Sequence, residues 1–261
     1  MADRPTRDRA TRLLALHRDP ALLTVVNVWD AASAKVVAGT DGTRALATAS
    51  HSIAAAYGYP DGENIPLDLM LEGVQRIVDS TDLPVSADLE GGYGDAAETV
   101  RRAIGIGVVG ANIEDQMKPL AQAAAQVEAI MKAAEQEGVP DFVLSARTDV
   151  FALGKGRDKS EKLAEAAERG RAYLDAGAPL VFVPARLDEA GVTTLVEAFG
   201  PQRLTLIAIP GGPPLSRLEE LAVARVSFGP MSLNVALTAL QELVERTQRG
   251  EGVPDTMRLL A

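Results

Sequence analysis

Short apolar runs rich in β-branched residues recur along the chain at 22–27 (LLTVVN), 44–50 (RALATAS), 84–88 (PVSAD), 109–114 (VGANIE), 141–147 (DFVLSAR), 179–185 (PLVFVPA), 203–209 (RLTLIAI) and 224–229 (ARVSFG). They are nearly continuous rather than alternating, as strands covered on both faces are. Between most of them the apolar positions take helical spacing, over 66–80, 96–105, 120–138 and 159–177. Eight strands alternating with helices predict an α/β fold of the (β/α)8 barrel type. No GxGxxG follows the first run, which removes the main signal for a doubly wound dinucleotide-binding sheet. Residues 1–261 read as one barrel domain, with an N-terminal arm or helix over 1–20 and a long amphipathic helix and tail over 231–261.

A barrel of this kind carries its chemistry at the C-terminal ends of its strands, so the residues falling there are the candidates. The first run ends in Asn27, Trp29 and Asp30, and the second in Ser50, His51 and Ser52, with Asp61 on the loop beyond. The third gives Asp88 and Glu90, the fourth Glu114 and Asp115, and the fifth Arg147 and Asp149. The last three finish in Pro184, in Pro210 with Gly211 and Gly212, and in Gly229, a wall without charge. Strand alternation would point Asp88 and Glu90 the same way, and two adjacent carboxylates repel unless a bound cation offsets them. Their alternative is a solvated loop start. The glycines of PVSADLEGGYGD (84–95) would let the backbone turn sharply beneath such a site.

Composition narrows the chemistry. The chain has no cysteine, two histidines and a formal charge of −10. A carboxylate rim without thiolate or imidazole clusters suits a hard cation such as Mg²⁺, with Mn²⁺ as a substitute, held directly by one or two carboxylates and through water by the rest. The negative charge and scattered basic residues argue against nucleic acid or an anionic membrane as partner. The charged N-terminus lacks a signal-peptide core, and no run reaches membrane-spanning length, which predicts a cytoplasmic protein. Arg147 suits a planar carboxylate, although it could instead neutralise Asp149 or Glu114. His51 is read as offering its backbone N–H rather than its ring. Trp29 and Tyr93 can be packing residues, and Asp115 can cap the following helix. The IPGGPP and FGPMS turns could hold a phosphate, but they carry no basic residue.

Taken together, NVWDAASA, ATASHS, YPDG, SADLEGGYGD, NIEDQ and SARTD resemble the isocitrate lyase/phosphoenolpyruvate mutase superfamily from about residue 20 to residue 235. The resemblance implies a barrel whose last helix is exchanged between subunits of a homodimer or homotetramer, and Mg²⁺-dependent chemistry on small 2-oxo or 2-hydroxy carboxylates through an enolate. It implies Asp88 as the direct metal ligand, and Asp61, Glu90 and Glu114 as partners of the metal-bound waters. Arg147 would face the substrate, with Glu114 and Lys118 as further catalytic candidates. Asp88, Trp29, Ser50, His51, Ser52 and Pro210 would line the substrate site.

The departures from the family's pattern are informative. Members that cleave isocitrate or methylisocitrate resemble one another in a Lys-x-Cys-Gly-His loop, where this chain reads EDQMKPLAQAAAQ. Phosphonate-forming mutases share Glu-Asp-Lys followed by Phe-Pro-Lys and an Asn, of which only EDQ and a stand-in at Lys118 remain. These departures favour a carbon–carbon lyase or hydrolase of the oxaloacetate or substituted-malate type. The alternatives are a mutase or hydrolase acting on a carbon–phosphorus bond and a non-catalytic 2-oxo acid binder. The only lid candidate after the fourth strand is 116–122, and so short a segment predicts a relatively open site.

Overall fold

The computed structural model describes residues 2–258. In chain order the elements are α1 (Arg4–Arg18), β1 (Leu23–Val25), β2 (Asn27–Val28), α2 (Ala31–Ala38), β3 (Leu46–Thr48), α3 (Ser50–Ala56), α4 (Leu67–Val78), β4 (Val85–Asp88), α5 (Ala96–Gly105) and β5 (Gly110–Glu114). They continue with α6 (Leu120–Gln136), β6 (Val143–Arg147), α7 (Val150–Leu153), α8 (Lys159–Asp175), β7 (Leu180–Val183), α9 (Glu189–Phe199), β8 (Leu204–Ile207), α10 (Leu215–Glu220), β9 (Arg225–Ser227) and α11 (Met231–Gln248). The strands form one parallel sheet in the order β1-β9-β8-β7-β6-β5-β4-β3-β2. Its two ends, β1 and β2, are halves of a single stave interrupted at Val26, so the predicted eight-staved barrel closes through the chain itself. Asn27 fastens this closure: its Nδ2 donates to the Thr48 carbonyl at 2.7 Å, and its Oδ1 accepts from the Phe228 and Gly229 amides, each at 2.7 Å.

Strand alternation sorts the side chains into an outer and an inner set. Outward-facing Ala87, Ala111, Ile113, Leu144 and Ala146 join the apolar layer beneath the early helices, while Val181, Val183, Leu204, Leu206 and Val226 pack under α8 to α10. The interior mixes polar with apolar side chains, Leu23 sharing a row with Arg225 and Phe182 with Thr205. Ser86, Asn112, Ser145, Thr205 and Arg225 form a buried floor in which Arg225 donates to Asn112 Oδ1 at 2.8 Å and to Ser86 Oγ at 3.3 Å. Ser145 and Thr205 meet at 3.1 Å between hydroxyls. Beneath the floor lies α1, capped by Asp3, which accepts from the Thr6 amide at 2.9 Å. Gly110 lets α1 approach: a Cβ there would stand 2.9 Å from Leu13 Cδ2 and 2.8 Å from the Val143 carbonyl oxygen.

The long helices and all eight strand runs fall where the pattern placed them. Further helices of the alternation, α2, α3, α7, α9 and α10, lie outside the four ranges that the spacing gives. Ser50, His51 and Ser52 are not a strand end but the first turn of α3, because the stave stops at Thr48. Helix α11 has no buried residue, and Val235, Leu237, Leu240 and Val244 are each at least half exposed. Among the described residues no helix is long and apolar enough to cross a membrane.

Candidate functional site

Two residues beyond the floor, the same inward phase yields the rim. Asp88 stands above Ser86, Glu114 above Asn112 and Arg147 above Ser145, with Asp88 registered on Asn112 and Glu114 on Arg147. Asp88 is held from the neighbouring stave. Its amide donates to Thr48 Oγ1 at 3.0 Å, and its Oδ2 accepts from the Ser50 amide at 3.2 Å and the Ser50 hydroxyl at 2.8 Å. Its Oδ1 makes no hydrogen bond to any described residue, so one oxygen of a firmly oriented carboxylate is left for a ligand.

Glu90 does not continue the strand. The ladder ends at Asp88, and Glu90 turns into the left-handed region at φ 53°, followed by Tyr93 at the same φ. The expectation that alternation would point Asp88 and Glu90 alike therefore gives way to a turn. Glu90 Oε1 accepts from the Tyr93 hydroxyl at 3.0 Å, while Oε2 accepts from the Glu63 amide. Glu63 Oε1 in turn accepts from the Tyr93 amide at 2.7 Å, closing a ring of three residues. Burial raises the Glu90 pKa, opposed by the Tyr93 and Glu63 hydrogen bonds and reinforced by Asp61 and Asp88. Gly91 serves by having no side chain: a Cβ would fall 2.2 Å from Gln116 Nε2, so the Gln116 amide occupies that space.

Glu114 and Arg147 form an ion pair at 2.8 Å, and Arg147 also grips Asp149 Oδ1 through Nη2 and Nε, both at 2.8 Å. Burial pushes Glu114 up to about 8; Arg147 opposes this, and Asp149, Asp88 and Glu90 add to it. Burial lowers the Arg147 guanidinium, but Asp149, Glu114 and Asp88 outweigh it and hold the group above its ordinary value. Asp115 is no helix cap, since α6 begins at Leu120 behind Pro119. It is a buried hub instead: Oδ2 accepts from Tyr173 at 2.6 Å and Arg169 at 3.1 Å, and Oδ1 accepts from the Met117 and Asp149 amides.

The structure thus brings Ser50, Asp88, Glu90, Glu114 and Arg147 to one rim. Asp61 is exposed on the loop before α4, near enough to act on Glu90 electrostatically. His51 is exposed, and Ser52 is buried with its hydroxyl unpartnered among the described residues. Lys118 turns toward α6 and donates to Gln126 Oε1 at 2.9 Å. Trp29 lines an apolar groove of about 520 Å³ between α2 and α11, and exposed Pro210 lines a second groove on the other side of α11. Among the described residues no three His, Cys, Asp or Glu side chains already converge as a cation cage. The donors are nevertheless all oxygen, and Asp88 Oδ1 is open, which fits a hard ion held by one carboxylate and water. Sequence reasoning passed over Glu63, Tyr173 and Arg169; nothing in their spacing announces them.

The family model described as phosphoenolpyruvate phosphomutase matches residues 13–248. A 2-methylisocitrate lyase of Escherichia coli (strain K12) is 32% identical over 78% of this chain and 74% of its own. A Burkholderia cenocepacia J2315 protein provisionally called a phosphonomutase superposes with a TM-score of 0.85 at 38% identity, covering 93% of this chain and 99% of its own. An oxaloacetate acetylhydrolase bound to its product oxalate superposes with a TM-score of 0.84 at 26% identity, covering 98% and 92%. With a barrel closed as described and an acid rim on its early strands, the chain belongs to the phosphoenolpyruvate phosphomutase family, whose relatives include lyases and phosphonomutases.

Proposed function

We propose that this protein is an enzyme that cleaves a carbon–carbon bond in a small 2-oxo or 2-hydroxy carboxylate held at the β3–β6 rim. The observation that carries this reading is Asp88, pinned through one oxygen by Ser50 and open at the other, beside an arginine shared by two acids. Asp88 would hold Mg²⁺ or Mn²⁺ directly, and Asp61, Glu90 and Glu114 its waters. When bound, such an ion supplies Lewis-acid polarisation of the substrate's 2-oxygen. Arg147 commits three N–H groups to Glu114 and Asp149, which leaves two of a guanidinium's five to orient the substrate carboxylate or its developing oxyanion. Glu114 is the side chain next to that position and can hold or return a proton. Lys118 would have to leave Gln126 to take part. The lyase and acetylhydrolase relatives support carbon–carbon cleavage, while the likeness to a phosphonomutase supports a second reading, carbon–phosphorus chemistry.

The test is a screen of the purified protein with Mg²⁺ or Mn²⁺ against oxaloacetate, 2-methylisocitrate, 2,3-dimethylmalate and phosphonopyruvate, read by mass spectrometry. One substrate should turn over, and Asp88→Ala should lower kcat/KM by about a thousandfold, or roughly 4 kcal/mol. Full metal-dependent turnover in the variant would sink the assignment. Oxalate binding by calorimetry without any product would mark a non-catalytic 2-oxo acid binder. The exposed apolar positions of α11 further support a homodimer or homotetramer built on that helix. Light scattering should give an oligomer, and a monomer contradicts it.

A further inference from the structure

We infer that Glu63 is a positioning residue that locks the loop carrying Asp61 onto the acids of the rim. The inference deepens the proposed function and rests on it. Glu63 is the point at which two loops meet. Its amide donates to Glu90 Oε2, its Oε1 accepts from the Tyr93 amide at 2.7 Å, and Tyr93 closes the ring through its hydroxyl on Glu90 Oε1 at 3.0 Å. All three members have positive φ, at 61°, 53° and 53°, conformations that non-glycine residues hold only when their surroundings over-determine them. A glycine would adopt the Glu63 backbone without strain; what it lacks is the acceptor for Tyr93. The Glu63 and Glu90 carboxylates each receive neutral donors within this ring.

Beyond Glu90, the ring is linked to Asp61 and to Glu114. Asp61 lies two residues before Glu63, in a turn that Asn64 tightens by donating to the Asp61 carbonyl at 2.7 Å. The Glu90 carbonyl accepts from the Glu114 amide at 2.8 Å, so a shift of Glu90 moves the start of the Glu114–Arg147 pair. Asp88 is fastened separately by Ser50. Glu63 acts through its neighbours and not on the reacting atoms; it sets where Asp61, Glu90 and Glu114 stand relative to Asp88.

The test compares Glu63→Gln, which keeps the acceptor and drops the charge, with Glu63→Ala and Glu63→Gly, which drop both; the glycine also relieves the backbone. Three quantities are read: Mn²⁺ affinity by electron paramagnetic resonance, amide hydrogen exchange over 59–66 without metal, and kcat and KM on whichever substrate turns over. Glu63→Gln should stay within about twofold of the wild type. The alanine and glycine variants should bind Mn²⁺ about tenfold more weakly and exchange faster over 59–66. They should also lose kcat by a similar factor, with KM changing much less. Wild-type Mn²⁺ affinity and loop protection in Glu63→Ala or Glu63→Gly would overturn the inference, as would a Glu63→Gln as impaired as Glu63→Ala. If the wild type itself binds no Mn²⁺, the metal reading fails on its own, and loop exchange still decides the matter: protection unchanged in Glu63→Ala ends the proposal.

Discussion

The barrel interior holds polar groups at two levels, and their bonding differs. At the rim, acids outnumber cations, yet Asp88, Glu90, Glu114 and Asp149 are each met by hydrogen bonds or by Arg147. At the floor, Arg225, and beneath it His17 on α1, are sealed from solvent, and each keeps one nitrogen, Nε and Nε2, without a partner among the described residues. Burial pushes Arg225 down to about 10 while Asp88 pulls it up, so the floor cation and the rim acid feel each other through the barrel. The difference separates two tasks. On the proposed function, rim groups are oriented toward a substrate, whereas floor groups hold the staves together and are costly to disturb.

The largest effect on stability is expected at the floor. Arg225→Ala opens a cavity and orphans Asn112 and Ser86, which should cost about 3 kcal/mol in urea denaturation. Arg225→Met, which refills the volume, should cost roughly half as much. Equal losses would mean that packing plays no part. Next comes His17, whose Nδ1 donates to the Leu13 carbonyl at 2.8 Å. Burial, with Arg225 nearby, lowers it from 6.5 to about 3. The unfolded chain therefore takes up the proton first, so this contribution is complete above pH 6.5 and is lost as pH falls from there toward 3. Stability should drop by about 2 kcal/mol between pH 6.5 and 5, and His17→Leu should flatten that part of the profile. The smallest effect belongs to the rim: Asp88→Ala, for all its expected damage to turnover, should change stability by less than about 1 kcal/mol, because it removes one of several repelling acids. A larger loss would erase the contrast between the levels.

How much of this could be read from the chain follows the same division. Asp88, Glu114 and Arg147 end apolar runs in one phase, and period-two alternation carried them to a common rim. Glu90 misled because Leu89 and Glu90 prolong the alternation on paper, whereas a left-handed turn ends the strand in fact. The Glu63 ring and the Asp115 hub join loops and helices far apart in sequence, and no periodicity encodes such hydrogen bonds. Arg225 and His17 were invisible for a different reason: a charged or polar residue is by default assigned to the surface, and only the closed barrel shows it inside. Short helices such as α3 (SHSIAAA) have too few turns to show a pattern.

The broken first stave also fixes an order of events. Val26 splits it so that β2 pairs with β3 early in the chain, while β1 must wait for β9. The Asn27 bonds to Phe228 and Gly229 span 201 and 202 positions, a closure that costs about 5 kcal/mol in chain entropy before any contact repays it. A ribosome has therefore released nearly the whole chain before the ring can shut, and until then the flank of β1 is an unpaired edge able to template association with other chains. A nascent chain that already contains every rim residue from Ser50 to Asp149 is still an open sheet.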